Sequence, residues 1–193
     1  MIAAVALVPA IAAAQQAPKR IDMPMTATDR IRWVVEGTVG VRSLGVGVFA
    51  SAWDTALNIP DEWHQTWKGA GKRYAEREAD VTISNSIEAG LGAVWNERCD
   101  YVPSHRRGVR ARLGYALETV MLAHRSDGHL APAWGRYAGN TINNVIENAW
   151  LPPSATTWQA TTWRSASGFL DRAIGNVWEE FEPDVRRRVF RRK

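Results

Sequence analysis

The stretch ASGFLDRAIGNVWEEF, residues 166–181, carries the clearest periodic pattern in the chain. Its apolar residues recur every three or four positions, which is the spacing that places side chains on one face of an α-helix. The members of this stripe are Ala166, Phe169, Leu170, Ala173, Ile174, Val177, Trp178 and Phe181. The pattern predicts an amphipathic helix that buries this face against the rest of the protein.

Four other segments show the same spacing, and each predicts a helix with one buried face. Their stripes are Val41, Leu44, Val48, Phe49 and Ala52; Ala79, Ile83, Ile87, Leu91 and Val94; Val109, Leu113, Leu117, Val120, Met121 and His124; Tyr137, Thr141, Val145, Ile146 and Ala149. Apolar residues in 39–49 also alternate as in a strand, but the helical patterns on either side favour a helix. Pro183-Asp184 predicts the start of a short last helix, 124–132 a turn, and 150–162 a loop.

These patterns together predict an all-α protein, with a single compact bundle of about five to six Gly- and Trp-rich amphipathic helices in residues 30–193. A length of 193 residues suits one domain with a sizeable core. The ten Trp residues favour a Trp-rich core, and the alternative is a surface that meets a membrane or a partner.

The first fourteen residues, MIAAVALVPAIAAA, contain no charged side chain. This composition resembles the apolar region of a signal peptide, and Ala12-Ala13-Ala14 fits a cleavage site before Gln15. The run is shorter than the ~20 apolar residues that span a bilayer. We therefore predict a signal-peptide-like segment at 1–14, a flexible leader at 15–29, and export to the periplasm or outer cell envelope, with the mature protein water-soluble or peripheral to a membrane.

The densest stretch is DEWHQTWKGAGKRYAERE, residues 61–78. Trp63, Trp67 and Tyr74 fall at helical spacing, which predicts that they form a packing anchor on one helix face, with a bend permitted by the glycines at 69–71. The segment does not fit a phosphate-binding loop, because Thr66 occupies the required Gly position and Arg73 follows Lys72.

Acid–base chemistry is the alternative interpretation of 61–78, with Glu62, His64 and Glu76 as candidate carboxylate and imidazole groups of a small envelope glycan hydrolase. A solvated helix face explains the same acidic residues, so we assign no catalytic residue. The four His are scattered, which predicts no metal site, and no pattern indicates a cofactor. Cys99 is the single cysteine, and we expect a chance surface or half-buried thiol.

The last eight residues, RRRVFRRK, carry six basic groups, and without them the formal net charge falls from +4 to −2. This tail is either a solvated end or a contact for an anionic membrane or another polyanion. The candidate contact residues are Arg186, Arg187, Arg188, Arg191, Arg192 and Lys193. We predict an exported envelope structural or interaction protein; the alternatives are the glycan hydrolase and a peripheral protein that binds anionic lipid through the tail. The expected partner is an anionic membrane surface or an envelope protein, and nucleic acid is not expected.

Two blocks of the chain carry a family resemblance. The first is Glu62, Trp67, Gly69, Gly71, Lys72, Arg73 and Tyr74, and the second is Phe181, Pro183, Asp184, Arg186 to Arg188 and Phe190. The chain in this respect resembles a group of exported, uncharacterised bacterial proteins over roughly residues 29–193. The resemblance implies export and supplies no catalytic residues. Cys99 stands where such proteins tend to have Pro, which argues against a thiol mechanism.

The uncharged segment 1–14 generates a test of export. If the chain is cut after Ala14, mass spectrometry of the protein recovered from the cell envelope finds Gln15 at or near its N-terminus. Recovery of envelope protein that still begins with Met1 would contradict cleavage.

Overall fold

The computed structural model describes residues 23–190, with side chains to residue 188. Segments 1–22 and 191–193, which include the predicted signal segment and the end of the basic tail, lie outside the described residues. The elements in chain order are α1 Ala27–Val39, α2 Val41–Leu57, a 3₁₀ turn Asp61–Trp63, α3 Trp67–Val94, α4 Val109–Met121, β1 Leu122–His124, β2 Leu130–Pro132, α5 Trp134–Glu147, a 3₁₀ turn Pro153–Ala155, and α6 Trp158–Phe190. The prediction of an all-α bundle is confirmed.

Helix α3 lies at the centre of the bundle. Helices α1 and α2 pack along one side of it, and α5 packs along another. Helix α6 packs on α5 and on α4. Gly40 interrupts α1 and α2 with an extended backbone (φ −64°, ψ 146°), so residues 39–49 are helical apart from this one break, and the helix prediction there is confirmed.

Side chains in the loops set where the helices begin. The Thr26 hydroxyl accepts a hydrogen bond from the Asp29 amide while the Asp29 carboxylate accepts one from the Thr26 amide, which forms a capping box at α1. Thr66 caps α3 by accepting from the Gly69 amide at 3.0 Å. Helix α5 has a distant cap, because the Glu97 carboxylate accepts from the amides of Trp134 and Gly135 at 3.1 and 2.8 Å.

Several predicted boundaries differ from the structure. The leader predicted at 15–29 ends earlier, because the capping box starts α1 at Ala27. Residues 124–132 form more than a turn, since β1 and β2 pair antiparallel with Ala123 opposite Ala131. The first turns of α6 lie within the loop predicted at 150–162. The separate last helix predicted at Pro183 is wrong, because α6 continues through this proline.

Helices α3 and α5 touch through their backbones. A Cβ atom on Gly135 would lie 2.8 Å from the Gly92 nitrogen, and one on Gly139 would lie 2.9 Å from the Ser84 carbonyl oxygen. Real Cβ atoms do not approach other atoms so closely, so only glycine fits both positions. These two contacts hold the inner face of α5 directly against α3.

The predicted burial of the apolar stripes is wrong for most of their members. On α5 the buried residues are polar, including Arg136, Asn143 and Glu147, whereas Val145 and Ile146 are exposed. The other large apolar stripe members that are exposed are Val41, Val48, Phe49, Val94, Val109, Leu113, Leu117, Met121, Leu170, Ile174 and Trp178. The predicted helical periodicity is confirmed, but periodicity does not specify which face of a helix is buried. In this fold the helices pack through polar faces that hydrogen-bond to each other.

Hydrogen-bonded networks of charged side chains lie in the interior, where most proteins bury apolar side chains. Arg136 on α5 and Arg172 on α6 both donate to the Glu88 carboxylate of α3, at 3.1 and 3.0 Å. Arg136 also donates to the carbonyl groups of Thr119 and Val120 at the end of α4. One buried carboxylate therefore ties α3, α5 and α6 together, and a buried charge must be paired in this way to be tolerated. A small apolar cluster of Tyr101, Tyr115, Ala116, Leu130 and Val177 lies beside it.

The tryptophans do not form a core. Eight of the ten are exposed, namely Trp53, Trp67, Trp95, Trp134, Trp150, Trp158, Trp163 and Trp178, and the other two, Trp33 and Trp63, are half-buried. The expectation of a Trp-rich core is wrong. Large apolar surfaces of this kind mark places where a protein meets a partner or a membrane.

The glycine contacts between α3 and α5 generate a stability test. Gly139→Ala forces a methyl group onto the α3 backbone, so we expect the free energy of unfolding to fall by about 1–3 kcal/mol. Gly90→Ala is the control, because Gly90 also lies in a helix but no heavy atom lies within 4 Å of the added Cβ. This variant should raise the free energy of unfolding by up to about 1 kcal/mol. Urea denaturation measures both, and a Gly139→Ala variant as stable as the control would show that the helices are not held this closely.

Candidate ligand-binding cleft

A cleft of about 590 Å³ opens between α2, α3, α5 and α6, within the size range of sites for small molecules. Its charged lining residues are Asp54, Glu76, Asp80, Glu88, Glu147 and Asp171, with Arg73, Arg77, Arg136, Arg164 and Arg172. Trp63 and Trp163 add indole rings, and Ser84, Asn85 and Ser167 add neutral polar groups.

Two guanidinium groups of the cleft, those of Arg73 and Arg164, are bonded to the protein itself. Arg73 donates to the carbonyl oxygens of Ile59, Pro60 and His64 at 2.6, 2.7 and 2.9 Å, which fixes the turn between α2 and α3. Arg164 donates to the Asn144 carbonyl at 3.1 Å and to the Asn148 side chain at 2.8 Å. The N–H groups of Arg73 and Arg164 therefore hold neighbouring loops of the protein in place.

An aspartate and a glutamate from two helices meet in the wall of the cleft. The Asn143 amide of α5 donates to Asp80 Oδ1 of α3 at 2.5 Å and to Glu147 Oε1, one turn further along α5, at 2.6 Å. The Glu147 side chain is only 2% exposed, and its second oxygen lies 3.4 Å from Arg164 Nε. The close contact of α3 with α5 therefore holds Asp80 and Glu147 as an acid pair.

This acid pair retains a proton at neutral pH. Burial, reinforced by the negative charge of Asp80, raises the pKa of Glu147 from its ordinary 4.5 to about 8. Burial also raises the pKa of Asp80. Ionisation of both carboxyl groups in one desolvated site is unfavourable, because the two negative charges repel, so the groups share a proton. Glu147 can therefore act as a proton donor near neutral pH.

Three further carboxyl groups face the cleft. Glu76 accepts a hydrogen bond from Trp150 Nε1 at 2.5 Å, and burial raises its pKa. Burial likewise raises the pKa of Asp54 and of Asp171. Within residues 23–188, no group donates a hydrogen bond to the carboxylate of Asp54 or Asp171, so both can accept hydrogen bonds from a ligand.

The packing anchor predicted from Trp63, Trp67 and Tyr74 is only partly present. Trp63 is half-buried and lines the cleft, and Tyr74 is half-buried on α3. Trp67 is 95% exposed, so its assignment to a core is wrong. The spacing misled because Trp63 lies in a 3₁₀ turn and α3 begins only at Trp67. The residue that anchors this segment is Arg73.

The bend predicted at 69–71 is also wrong, because α3 runs through these residues without interruption. Gly69 is needed for a different reason. A Cβ atom there would collide with the carbonyl oxygens of Trp63 and His64. The glycine lets the preceding turn fold back against the first turn of α3.

Among the acid–base candidates from the sequence, the structure brings only Glu76 to the cleft wall. Glu62 accepts from the Ser154 amide and hydroxyl at 3.2 and 2.7 Å, and these bonds lower its pKa to about 2. It is ionised and links the two 3₁₀ turns. His64 is exposed and contributes its carbonyl oxygen to Arg73. Sequence reasoning missed Asp80 and Glu147.

The remaining predicted residues lie elsewhere. Arg186, Arg187 and Arg188 are exposed near the end of α6, and Arg186 pairs with Glu182. Arg191, Arg192 and Lys193 lie outside the described residues. Cys99 is fully buried rather than exposed or half-buried, and burial raises the pKa of its thiol to about 12, so the described structure gives no thiolate nucleophile there.

Within residues 23–190, no cluster of His, Cys, Asp and Glu has the arrangement that holds a metal ion. In the same part of the chain, one helical stretch, Ala27–Leu57, is long and apolar enough to cross a membrane by length and composition. No family model, curated protein or solved structure matches the chain, so the family resemblance stays a prediction.

The acid pair generates a test of pH dependence. Glu147 binds its proton more tightly in the folded than in the unfolded chain, so the free energy of unfolding should decline as pH rises from about 4.5 to about 8. Glu147→Gln removes this ionisation. Between pH 5 and pH 8 we expect the variant to gain about 1–3 kcal/mol of stability relative to the wild type.

Urea denaturation at a series of pH values makes this measurement. Glu62→Gln is the matched control, because the pKa of Glu62 lies far below the window and its substitution should leave the slope unchanged. Parallel wild-type and Glu147→Gln profiles would contradict the proton-sharing pair.

Proposed function

We propose that this protein is an exported cell-envelope binding protein whose cleft takes a polyhydroxylated ligand, a segment of envelope glycan. The observation that carries the proposal is the presence in the cleft of two carboxyl groups, those of Asp54 and Asp171, to which no group within residues 23–188 donates a hydrogen bond. Ionised carboxylates accept hydrogen bonds, and the hydroxyl groups of a sugar donate them.

The indole rings in the cleft support the same ligand class. Trp63 and Trp163 line it on the side where the two 3₁₀ turns lie, and an indole offers a broad flat apolar face. Sugars present an apolar ring face together with hydroxyl groups, so rings and carboxylates can be engaged together. The volume of about 590 Å³ has room for a short oligosaccharide segment.

Export is supported by two features of the N-terminal region. The uncharged segment 1–14 has the composition of a signal peptide. The apolar helical stretch Ala27–Leu57 is compatible with export as well. In the envelope, the abundant polyhydroxylated polymers are glycans, and this location therefore fits the proposed ligand.

Glycan hydrolysis is a second candidate function, favoured by the acid pair. Glycosidases use one protonated carboxyl group as an acid and a second, ionised carboxylate as base or nucleophile. Glu147 holds a proton near neutral pH, and Glu76 lies one turn from Asp80 on α3. The roles would be Glu147 as general acid and Glu76 as base, in place of the Glu62 and His64 considered from sequence.

Binding is tested with soluble N-acetylglucosamine oligomers and cell-wall glycan fragments, followed by tryptophan fluorescence and calorimetry. We expect saturable binding that Asp54→Asn together with Asp171→Asn weakens at least about tenfold, because Asn keeps an accepting oxygen and each substitution loses only the charge contribution to a hydrogen bond, roughly 1 kcal/mol. Glu118→Gln is the control, because Glu118 is exposed and lies outside the cleft lining, and this variant should bind as the wild type does. Absence of binding to the whole set, or equal binding by the double variant, would overturn the proposal.

Chromatography of the same incubations separates binding from hydrolysis. Products that appear with the wild type and disappear with Glu147→Gln, while binding is retained, would establish the enzyme. Unchanged oligomers in the presence of saturable binding would establish the binding protein and eliminate the hydrolase.

A further inference from the structure

Five exposed tryptophans gather at one end of the bundle, which we call the Trp-rich end: Trp53, Trp67, Trp150, Trp158 and Trp163. Their exposed fractions run from 44% to 95%. Trp53 lies one turn before the end of α2, and Trp67 and Trp158 are the first residues of α3 and α6. Trp150 follows the end of α5, and Trp163 lies near the start of α6.

Hydrogen bonds show that these helix ends are neighbours. Trp150 Nε1 donates to Glu76 in the first part of α3. The Ser154 hydroxyl of one 3₁₀ turn donates to Glu62 of the other. Gln65 Nε2 donates to the Ala56 carbonyl at the end of α2 at 2.8 Å. The Trp-rich end is therefore one region of the folded surface.

The composition of this region suits the boundary between lipid and water. Indole combines a large apolar ring with a single N–H donor, and tryptophan is enriched at membrane interfaces for that reason. Phe49, Leu57 and Ile59 are also exposed on the α2 side of this end. So much apolar area in contact with water is unfavourable, by about 25 cal/mol per Å².

The charged groups here complement lipid headgroups. Lys68 and Lys72 are exposed, one turn apart at the start of α3, beside Trp67. Lysine lays its apolar stem on a hydrophobic surface and extends its ammonium group toward phosphate. Asp61 and Glu62 are the exposed acidic residues of the adjacent 3₁₀ turn, and Glu62 is bound to Ser154. The region is thus close to neutral, with ammonium groups next to the indole rings.

We propose that the Trp-rich end docks on the interfacial layer of a phospholipid membrane. The indole rings and the α2 apolar side chains enter the headgroup layer, while Lys68 and Lys72 contact lipid phosphates. The contact is driven by apolar burial and needs no excess of anionic lipid. The two surfaces share Trp163, but Trp67 and Trp158 do not line the cleft, so substitutions at these two positions test docking without changing the ligand site.

Arg186, Arg187 and Arg188, the described arginines of the basic tail, lie at the opposite end of the same helix. Helix α6 has 33 residues, so at 1.5 Å per residue Arg188 is on the order of 45 Å from Trp158. With α6 upright, the Trp-rich end and the tail cannot touch one flat membrane together. Docking by tryptophan predicts binding that salt hardly changes, whereas docking by the tail predicts binding that salt abolishes.

The experiment mixes the full chain with phosphatidylcholine vesicles and with vesicles that also contain phosphatidylglycerol. Co-sedimentation and tryptophan emission measure binding at low salt and at about 0.5 M salt. We expect binding to both vesicle types, a blue-shifted emission, and less than about a threefold loss at the higher salt. The variant Trp67→Ser with Trp158→Ser should lower the partition coefficient at least about tenfold.

Control variants distinguish docking from damage to the fold. Trp134→Ser with Trp178→Ser removes two exposed tryptophans outside the Trp-rich end and should leave vesicle binding unchanged. Because Trp67 and Trp158 are exposed, their double variant should keep the circular dichroism spectrum and melting temperature of the wild type.

Three results would overturn the inference. The first is the absence of binding to either vesicle type. The second is binding that disappears with salt or on removal of residues 186–193, which would assign the contact to the tail. The third is concentration-dependent self-association that Trp67→Ser with Trp158→Ser abolishes, without vesicle binding, which would assign the Trp-rich end to a second copy of the chain. Binding of soluble glycan is measured separately and can succeed or fail independently.

Discussion

At Gly135 and Gly139, α5 lies so close to α3 that neither position has room for a methyl group. Much of the interior depends on this contact, because the next residues along the same face of α5 are the ones that bond to α3. Arg136 reaches Glu88, and Asn143 reaches Asp80. If the two helices were separated by an ordinary side chain, these polar groups would be left without partners, at a cost of several kcal/mol each for the charged ones.

The interior is therefore held together mainly by directional bonds. Arginine suits this role because one guanidinium carries five N–H donors in a fixed plane. Arg73 uses them to fasten a turn, Arg136 to join α4 to α5, and Arg164 to fasten the loop that follows α5. Such bonds require specific geometry, so they specify one arrangement of the helices. Because polar groups occupy the interior, less apolar surface is buried, and many valine, leucine and tryptophan side chains are exposed to solvent.

The sequence was informative about local structure and much less so about orientation. Periodicity predicted the helical class and the helical state of residues 39–49, because the period of a helix is a local property. Periodicity did not predict which face of each helix is buried, because burial depends on what the rest of the fold packs against that face. Trp67 was misplaced because a 3₁₀ turn broke the register between it and Trp63. Asp80 and Glu147 were missed because they are distant in sequence; the one local signal was the polar spacing of Arg136, Asn143 and Glu147 opposite an apolar stripe.

The inverted arrangement of polar and apolar faces has a thermodynamic consequence. The heat capacity change of unfolding arises mainly from apolar surface that becomes hydrated, while newly hydrated polar surface lowers it. In this fold many apolar side chains are already hydrated and many polar ones are not. The heat capacity increment should thus fall below the usual ~12–15 cal/mol/K per residue. A small increment flattens the curve of stability against temperature, so the bundle would lose little stability in the cold.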